Sequence, residues 1–220
     1  MEFTSPPELI TSITDLIDSM AAAVFLALLA KDKSKKATLW KVMMWSLLIS
    51  GMMGFFVHLI DWSENVENIT WILLPLPMCI AVSAFFALSV VEVCANAIKT
   101  AVIFSSAMCS VSYAAMVVLF LAEANFLVIF TIFAALFVFA AGIIFGVVFA
   151  KTKRKYLLFY MIGVVIEIPG GIVQAKRDLY FKFIVEMDFN SVFHLLLLLS
   201  IVLFTVGYLA QRKTDDDTVK

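Results

Sequence analysis

Charge is what this sequence has least of. Only 15% of its 220 residues are Asp, Glu, Lys or Arg, against 63% hydrophobic, and the mean hydropathy is +1.04. Soluble domains are nearer a quarter charged, and a single water-facing core of this length cannot hide so much apolar surface. A water-soluble enzyme is excluded. The formal net charge of −1 also excludes a basic nucleic-acid binder and a strongly acidic protein. Cysteine is scarce: Cys79, Cys94 and Cys109 all fall in apolar stretches and read as small core residues rather than a disulfide set or metal cluster. Histidine is scarcer, with His58 and His194 alone. No basic segment follows Met1, and Asp15 and Asp18 interrupt the first apolar stretch, so no cleavable signal peptide is expected.

What is present is a series of long apolar runs. Between Trp71 and Ala150 the charged residues are Glu92, Lys99 and Glu123, spaced at about the 20 residues that a bilayer core requires of a helix. β-Barrel alternation is absent. The expected fold is all-α: a polytopic seven-transmembrane-helix bundle in residues 1–210, followed by a short disordered cytoplasmic tail in 211–220. The helices are expected at roughly 10–30, 39–61, 71–92, 99–122, 126–150, 156–174 and 191–210. Pro6 and Pro7 precede the first, and Ser12 with Asp15 has capping-box spacing.

Lysine and arginine in the short loops set the orientation. Lys31, Lys33, Lys35 and Lys36 fill the first loop, Lys99 marks the third, and Lys151, Lys153, Arg154 and Lys155 fill the fifth; Arg212 and Lys213 open the tail. These share one side when the N-terminus is outside and the C-terminus cytoplasmic, in a multi-pass protein of the cell membrane. The second loop, with Asp61, Glu64 and Glu67, is acidic as an outer loop can be. The sixth holds Lys176, Arg177 and Lys182 beside Tyr180, Phe181 and Phe183, and is expected to lie flat on the interface.

Ionisable groups inside a bilayer are costly, face the bundle interior and commonly carry function. At about 1.5 Å per residue from each cytoplasmic helix end, His58 and His194 stand about 25 Å up, Asp15 about 24 Å, Asp18 about 20 Å and Glu167 about 18 Å. Four helices thus place their unusual polar residues in one layer of the outer half. Asp61 shares a face with His58 at i, i+3, and Asn190 with His194 at i, i+4. Glu167 precedes Pro169, Gly170 and Gly171, which are expected to break or kink its helix. Two imidazoles and a carboxylate suffice for zinc or iron; without metal the same layer suits a proton or cation path. Each residue also has a plainer reading, as a helix cap, an interfacial charge or a buried hydrogen-bonding group.

Other features concern packing. Gly142 and Gly146 form a GxxxG pair, suited to a close helix approach inside the chain or to an oligomer or partner seam. Ser105, Cys109, Ser112 and Tyr113 make a small polar face. Asn68 and Thr70 form a glycosylation sequon on the expected outer side.

Residues 51–58, ending on His58, residues 188–194, with Asp188, Asn190 and His194, and Trp71 opening the third helix carry a resemblance. Together with seven spans, they resemble the superfamily of alkaline ceramidases, adiponectin receptors and hemolysin III proteins, in its small bacterial branches. The resemblance implies zinc held near the N-terminal side of the membrane, with His58 and His194 as ligands and hydrolysis of a lipid amide or related bond. Gly54 stands where the family has serine, Asn190 and Leu198 flank His194 at the four-residue spacing where the family has a further histidine, and no aspartate precedes Glu92 in the third helix. Asp15 or Glu167 is expected as the substitute ligand, Asp15 being the one placed with the two histidines in the metal set; both are catalytic candidates, and Asp18, Asp61 and Asn190 complete the layer. A transporter, channel or proton-coupled sensor using Glu167, and a non-catalytic receptor or partner subunit, are the other classes. Retinal is excluded, since residues 191–210 hold no lysine for a Schiff base.

Overall fold

The computed structural model describes residues 4–124, 127–175, 180–182 and 186–218. Its elements are α1 (Pro6–Leu29), α2 (Lys35–Leu59), α3 (Glu64–Leu73), α4 (Pro75–Val93), a short 3-10 turn Ala95–Ala97, α5 (Ile98–Leu121), α6 (Leu127–Thr152), α7 (Tyr156–Ala175), strands β1 (Tyr180–Lys182) and β2 (Glu186–Asp188), and α8 (Phe189–Thr218). Seven helical stretches, with α3 and α4 counted as one, are long and apolar enough to cross a membrane. Helix α1 packs on α2 and α8, α2 on α4, α4 on α6, α6 on α7 and α7 on α8. This closes a ring of six helices, with α5 outside it against α4 and α6.

Several boundaries differ from expectation for local reasons. Helix α1 starts at Pro6, because proline is tolerated in a first turn whose N–H groups lack partners anyway. Ser12 and Thr14 therefore sit inside α1, where Ser12 donates to the Phe55 carbonyl at 3.0 Å and Thr14 to that of Thr11 at 2.8 Å, and no capping box forms. Helix α2 starts earlier too, capped by Ser34, whose hydroxyl accepts from the Ala37 amide at 3.1 Å. The acidic second loop is largely helix α3, on which Asn68 is exposed. Where an interfacial segment was expected, β1 pairs antiparallel with β2, Tyr180 opposite Asp188; Lys176, Arg177 and Phe183 lie outside the described residues. Helix α8 continues to Thr218, through most of the expected disordered tail.

The core gathers around Trp40, which is 1% exposed. Its ring meets Tyr160 at 5.4 Å, Phe25 at 5.5 Å, Phe204 at 6.1 Å, Phe85 at 6.3 Å and Tyr208 at 6.4 Å between centroids. A second cluster joins Cys79, Cys109, Met116, Phe133 and Phe137. Ser105, Cys109 and Ser112 are buried there, and the Tyr113 hydroxyl donates to the Ile72 carbonyl, as a helix-packing face requires. Cys94 differs from its expectation: it is exposed after α4. Large apolar side chains point outward all along the bundle, among them Met20, Ile103, Val111, Val118 and Leu136. Lipid covers such a surface at no cost; water does not.

The glycine pair of α6 is occupied inside the chain. A Cβ on Gly142 would lie 2.8 Å from Cγ1 of Val164 on α7, whereas one on Gly146 would lie 3.7 Å from the flexible end of Met161. Gly142→Ala is therefore expected to cost about 1–3 kcal/mol through overpacking, while Gly146→Ala leaves stability nearly unchanged. Melting in detergent checks this; equal effects at the two positions would refute the α6–α7 contact.

Candidate functional site

The site begins with the inward stripe of α1. Glu8, Thr11, Asp15, Asp18, Ala22, Phe25 and Leu29 recur at three- and four-residue steps and so share one helix face. From Thr11 on they are all buried. The stripe is polar over its first half and apolar over its second.

Helix α2 comes close enough to press on it. A Cβ on Gly54 would fall 2.7 Å from the Asp15 carboxylate, and one on Gly51 would fall 2.4 Å from Oγ of Ser19. The missing side chains make room for the acid, and no larger residue fits without moving it. The serine expected at position 54 by resemblance has no space here unless Asp15 shifts.

His194 enters from α8 between two carboxylates. Its Nδ1 lies 3.0 Å from Oδ2 of Asp18 and its Nε2 lies 3.2 Å from Oδ1 of Asp15. Both ring nitrogens thus face acids: either the imidazole is doubly protonated, or a carboxyl carries the shared proton. Oδ2 of Asp15 and Oδ1 of Asp18 are buried without a hydrogen-bond partner. Both side chains are 4% exposed.

His58 forms a neighbouring cluster. Its Nδ1 lies 2.5 Å from Oε2 of Glu8, its Nε2 lies 3.2 Å from the Asn190 amide nitrogen, and Trp71 stands edge-on at 5.9 Å. With Asn190 donating to Nε2, Nδ1 is left as donor to Glu8. Asp15 lies within electrostatic reach of both imidazoles and links the clusters. Asp188, buried in front of α8, accepts from the Ser191 amide and hydroxyl at 2.8 Å each and from Thr11 at 2.9 Å. It caps the helix that carries Asn190 and His194.

Glu167 faces Ser200 and lies within electrostatic reach of Asp18, and its Oε1 is buried without a partner. The expected break beside it does not occur: α7 runs unbroken through Pro169 to Ala175. A missing amide costs one hydrogen bond, and packing of Gly170 against Phe193 continues the contact with α8. Asp61 does not share the face of His58. Helix α2 ends at Leu59 and Ile60 is extended, so Asp61 leaves the His58 face and is exposed.

The structure thus joins Asp15, Asp18 and His194 directly, and His58 with Asn190. Sequence reasoning missed Glu8 and Thr11, and gave no site role to Asp188 or Ser191 although both lie in the 188–194 segment. The stripe spacing was the signal for the first two, concealed by starting the helix at residue 10. The donors that zinc would draw on, His58, His194 and Asp15, are divided between the two clusters. Among the described residues no group of three His, Cys, Asp or Glu side chains is arranged to hold a metal ion.

Removing His194 alone strands two buried acids, and His194→Leu is expected to cost about 3–5 kcal/mol. Adding Asp15→Asn and Asp18→Asn should recover most of it. Equal melting of the single and triple variants would place the histidine outside a charge pair.

No curated protein and no solved structure matches the chain. Residues 10–213 match the model of the family of unknown function DUF6962, and the chain belongs to that family.

Proposed function

We propose that this chain is a protonation-coupled seven-span membrane protein, a proton-coupled transporter or sensor. Its N-terminus faces outside, and the His/Asp/Glu layer is its proton-binding site. One observation carries the reading: His194 sits between Asp15 and Asp18, with an unpartnered buried oxygen on each acid. Buried carboxylates do not stay charged without partners. Among the described residues no lysine or arginine pairs with Asp15, Asp18 or Glu167. Two imidazoliums would leave the acids Asp15, Asp18, Glu167 and Asp188 in excess. The layer therefore has to hold further protons or a cation, and its occupancy follows the water phase it communicates with.

Communication runs from one end. The Glu8 side chain is 42% exposed and touches His58, which couples through Asp15 to His194, Asp18 and Glu167. Beyond Asp18 the α1 stripe turns to Ala22, Phe25 and Leu29, all fully buried, and the Trp40 cluster closes the interior. A proton entering by Glu8 is held, and crosses only if α1, α2 and α8 rearrange. Carboxylate and histidine chains of this kind are the materials of membrane proton relays.

A second reading, zinc-dependent hydrolysis of a lipid amide, is favoured by the contact of His58 with Asn190, which joins the two segments that carry the resemblance. His58, His194 and Asp15 would hold the ion only if the two clusters closed on one another, and zinc would then supply Lewis acidity.

Proton uptake separates the readings. In weak buffer, purified protein acidified from about pH 8 to about pH 5 is expected to take up roughly one proton per chain beyond Asp15→Asn/Asp18→Asn. Vesicles with a trapped pH dye then distinguish transport from sensing, since transport is lost in His194→Gln. Equal uptake by both proteins would overturn the proton reading. About one zinc per chain, lost in His58→Ala/His194→Ala, would replace it with the hydrolase.

A further inference from the structure

The opposite end of the bundle carries a second polar assembly. The loop between α1 and α2 and the last turns of α8 enclose a half-open cavity of about 360 Å³, within the range of small-ligand sites. Its cationic lining is Lys31, Lys33, Lys36 and Arg212. Lys36 is already engaged, 2.6 Å from Glu92. Lys31 and Lys33 form no ion pair among the described residues. With Lys36 paired to Glu92, three other cations, Lys31, Lys33 and Arg212, converge on a cavity whose lining holds one acid, Asp32, which leaves an excess of positive charge.

One acid, Asp32, is also in the lining, and its acceptors are taken. Oδ1 receives the Ser34 amide at 2.8 Å, and Oδ2 receives the Tyr208 hydroxyl. Burial pushes its carboxyl up, but the Tyr208 and Ser34 hydrogen bonds and the Arg212 charge outweigh this and hold it below the usual range. Lys41 in turn bonds the Asp32 carbonyl at 2.7 Å. Asp32 is thus the brace that ties the loop to α8, and its single charge offsets only one of the cations around it. Ser34 and Lys36 bring the first turn of α2, the positive end of its dipole, into the same wall.

We propose that this cavity binds a phosphate monoester. Several lysines, an arginine fork and a helix N-terminus suit a compact dianion better than a single carboxylate. The cavity lies at the level where α1 ends and α8 emerges, which is where a bilayer places its headgroups. A lipid phosphate and a free phosphate share this chemistry. The inference is independent of the proton reading, since it uses none of the layer residues.

The test is native mass spectrometry of the whole protein in detergent with phosphatidic acid or phosphatidylcholine added. One phosphatidic acid is expected to be retained in excess phosphatidylcholine, and Lys33→Ala/Arg212→Ala to weaken it at least about tenfold. Lys31→Gln/Lys33→Gln, confined to the exposed loop, gives a second variant that keeps α8 intact. Lys151→Ala/Lys155→Ala, with the same charge change on another loop, should retain the lipid. Displacement by inorganic phosphate at similar concentration would identify a free phosphate as occupant, and resistance to it a lipid headgroup; both support the site. Equal retention by the pocket and control variants, or equal binding of phosphatidylcholine, would overturn it.

Discussion

The interior depends on how close α1 lies to α2. Gly51 and Gly54 allow the helices to approach until Asp15 rests on bare backbone, and that approach deprives the acid of water. Had position 54 kept a side chain, the helices would stand apart and water would solvate the carboxylate. The buried acid then dictates the rest of its surroundings. It demands a partner, and His194 supplies one from α8; His194 needs a second acceptor on its other nitrogen, and Asp18 supplies it one helical turn along. Asp188 and Thr11 fix the start of α8, so that the imidazole is delivered at the right height.

Polarity changes sharply along the bundle axis. Helix α1 turns from Asp18 to Ala22 and Phe25, and α8 from His194 to Ile201 and Phe204, at the same level. Below this, Trp40 and its ring partners fill the centre. Lower still, polar groups return: Glu92 accepts from Lys36, Gln211 and Tyr156, and Tyr208 binds Asp32. The lower assembly has cations to match its acids, whereas the upper one has only imidazoles. That asymmetry is why the lower cluster reads as a brace with spare positive charge, and the upper as a site short of protons.

Much of this was legible in the sequence, because lipid leaves the chain few choices. Backbone groups in hydrocarbon must be satisfied within a helix, so the apolar runs marked the seven stretches, though two ends, at Glu64 and Thr218, lie well outside the expected bounds. That Asp15, Asp18, His58, His194 and Glu167 fall near one level of the bundle followed from helical rise alone. Rotation about each helix axis did not. It took packing to show that Asn190 turns to His58 rather than serving His194, and that Gly142 meets Val164. The errors arose at helix ends, where one or two residues decide which face is presented. Taking Pro6 and Pro7 as a preface hid Glu8, and extending α2 past Leu59 gave Asp61 a place it does not hold. Pro169 misled for another reason: proline removes one hydrogen bond, but the packing of α7 along α8 outweighs it.

The layer's composition also limits what it can do. A histidine between two acids is a poor permanent ion pair, because burial penalises all three charges, and partly satisfied polar groups are the costliest arrangement in a low-dielectric interior. A merely structural role would be served better by apolar residues of the same volume, as in the Trp40 region, where Phe25 lies about two helical turns beyond Asp18. Retaining Asp15 and Asp18 with an unpartnered oxygen each makes physical sense if something small comes and goes. A proton satisfies that condition with least rearrangement: it neutralises one acid, gives it a donor and needs no coordination shell. A larger cation would need more oxygen donors than the two free ones offer, with Glu167 the nearest candidate to supply another. Glu167 lies on α7, against α8, so a cation recruiting it would pull α7 toward α1. A proton would leave those helices as they are.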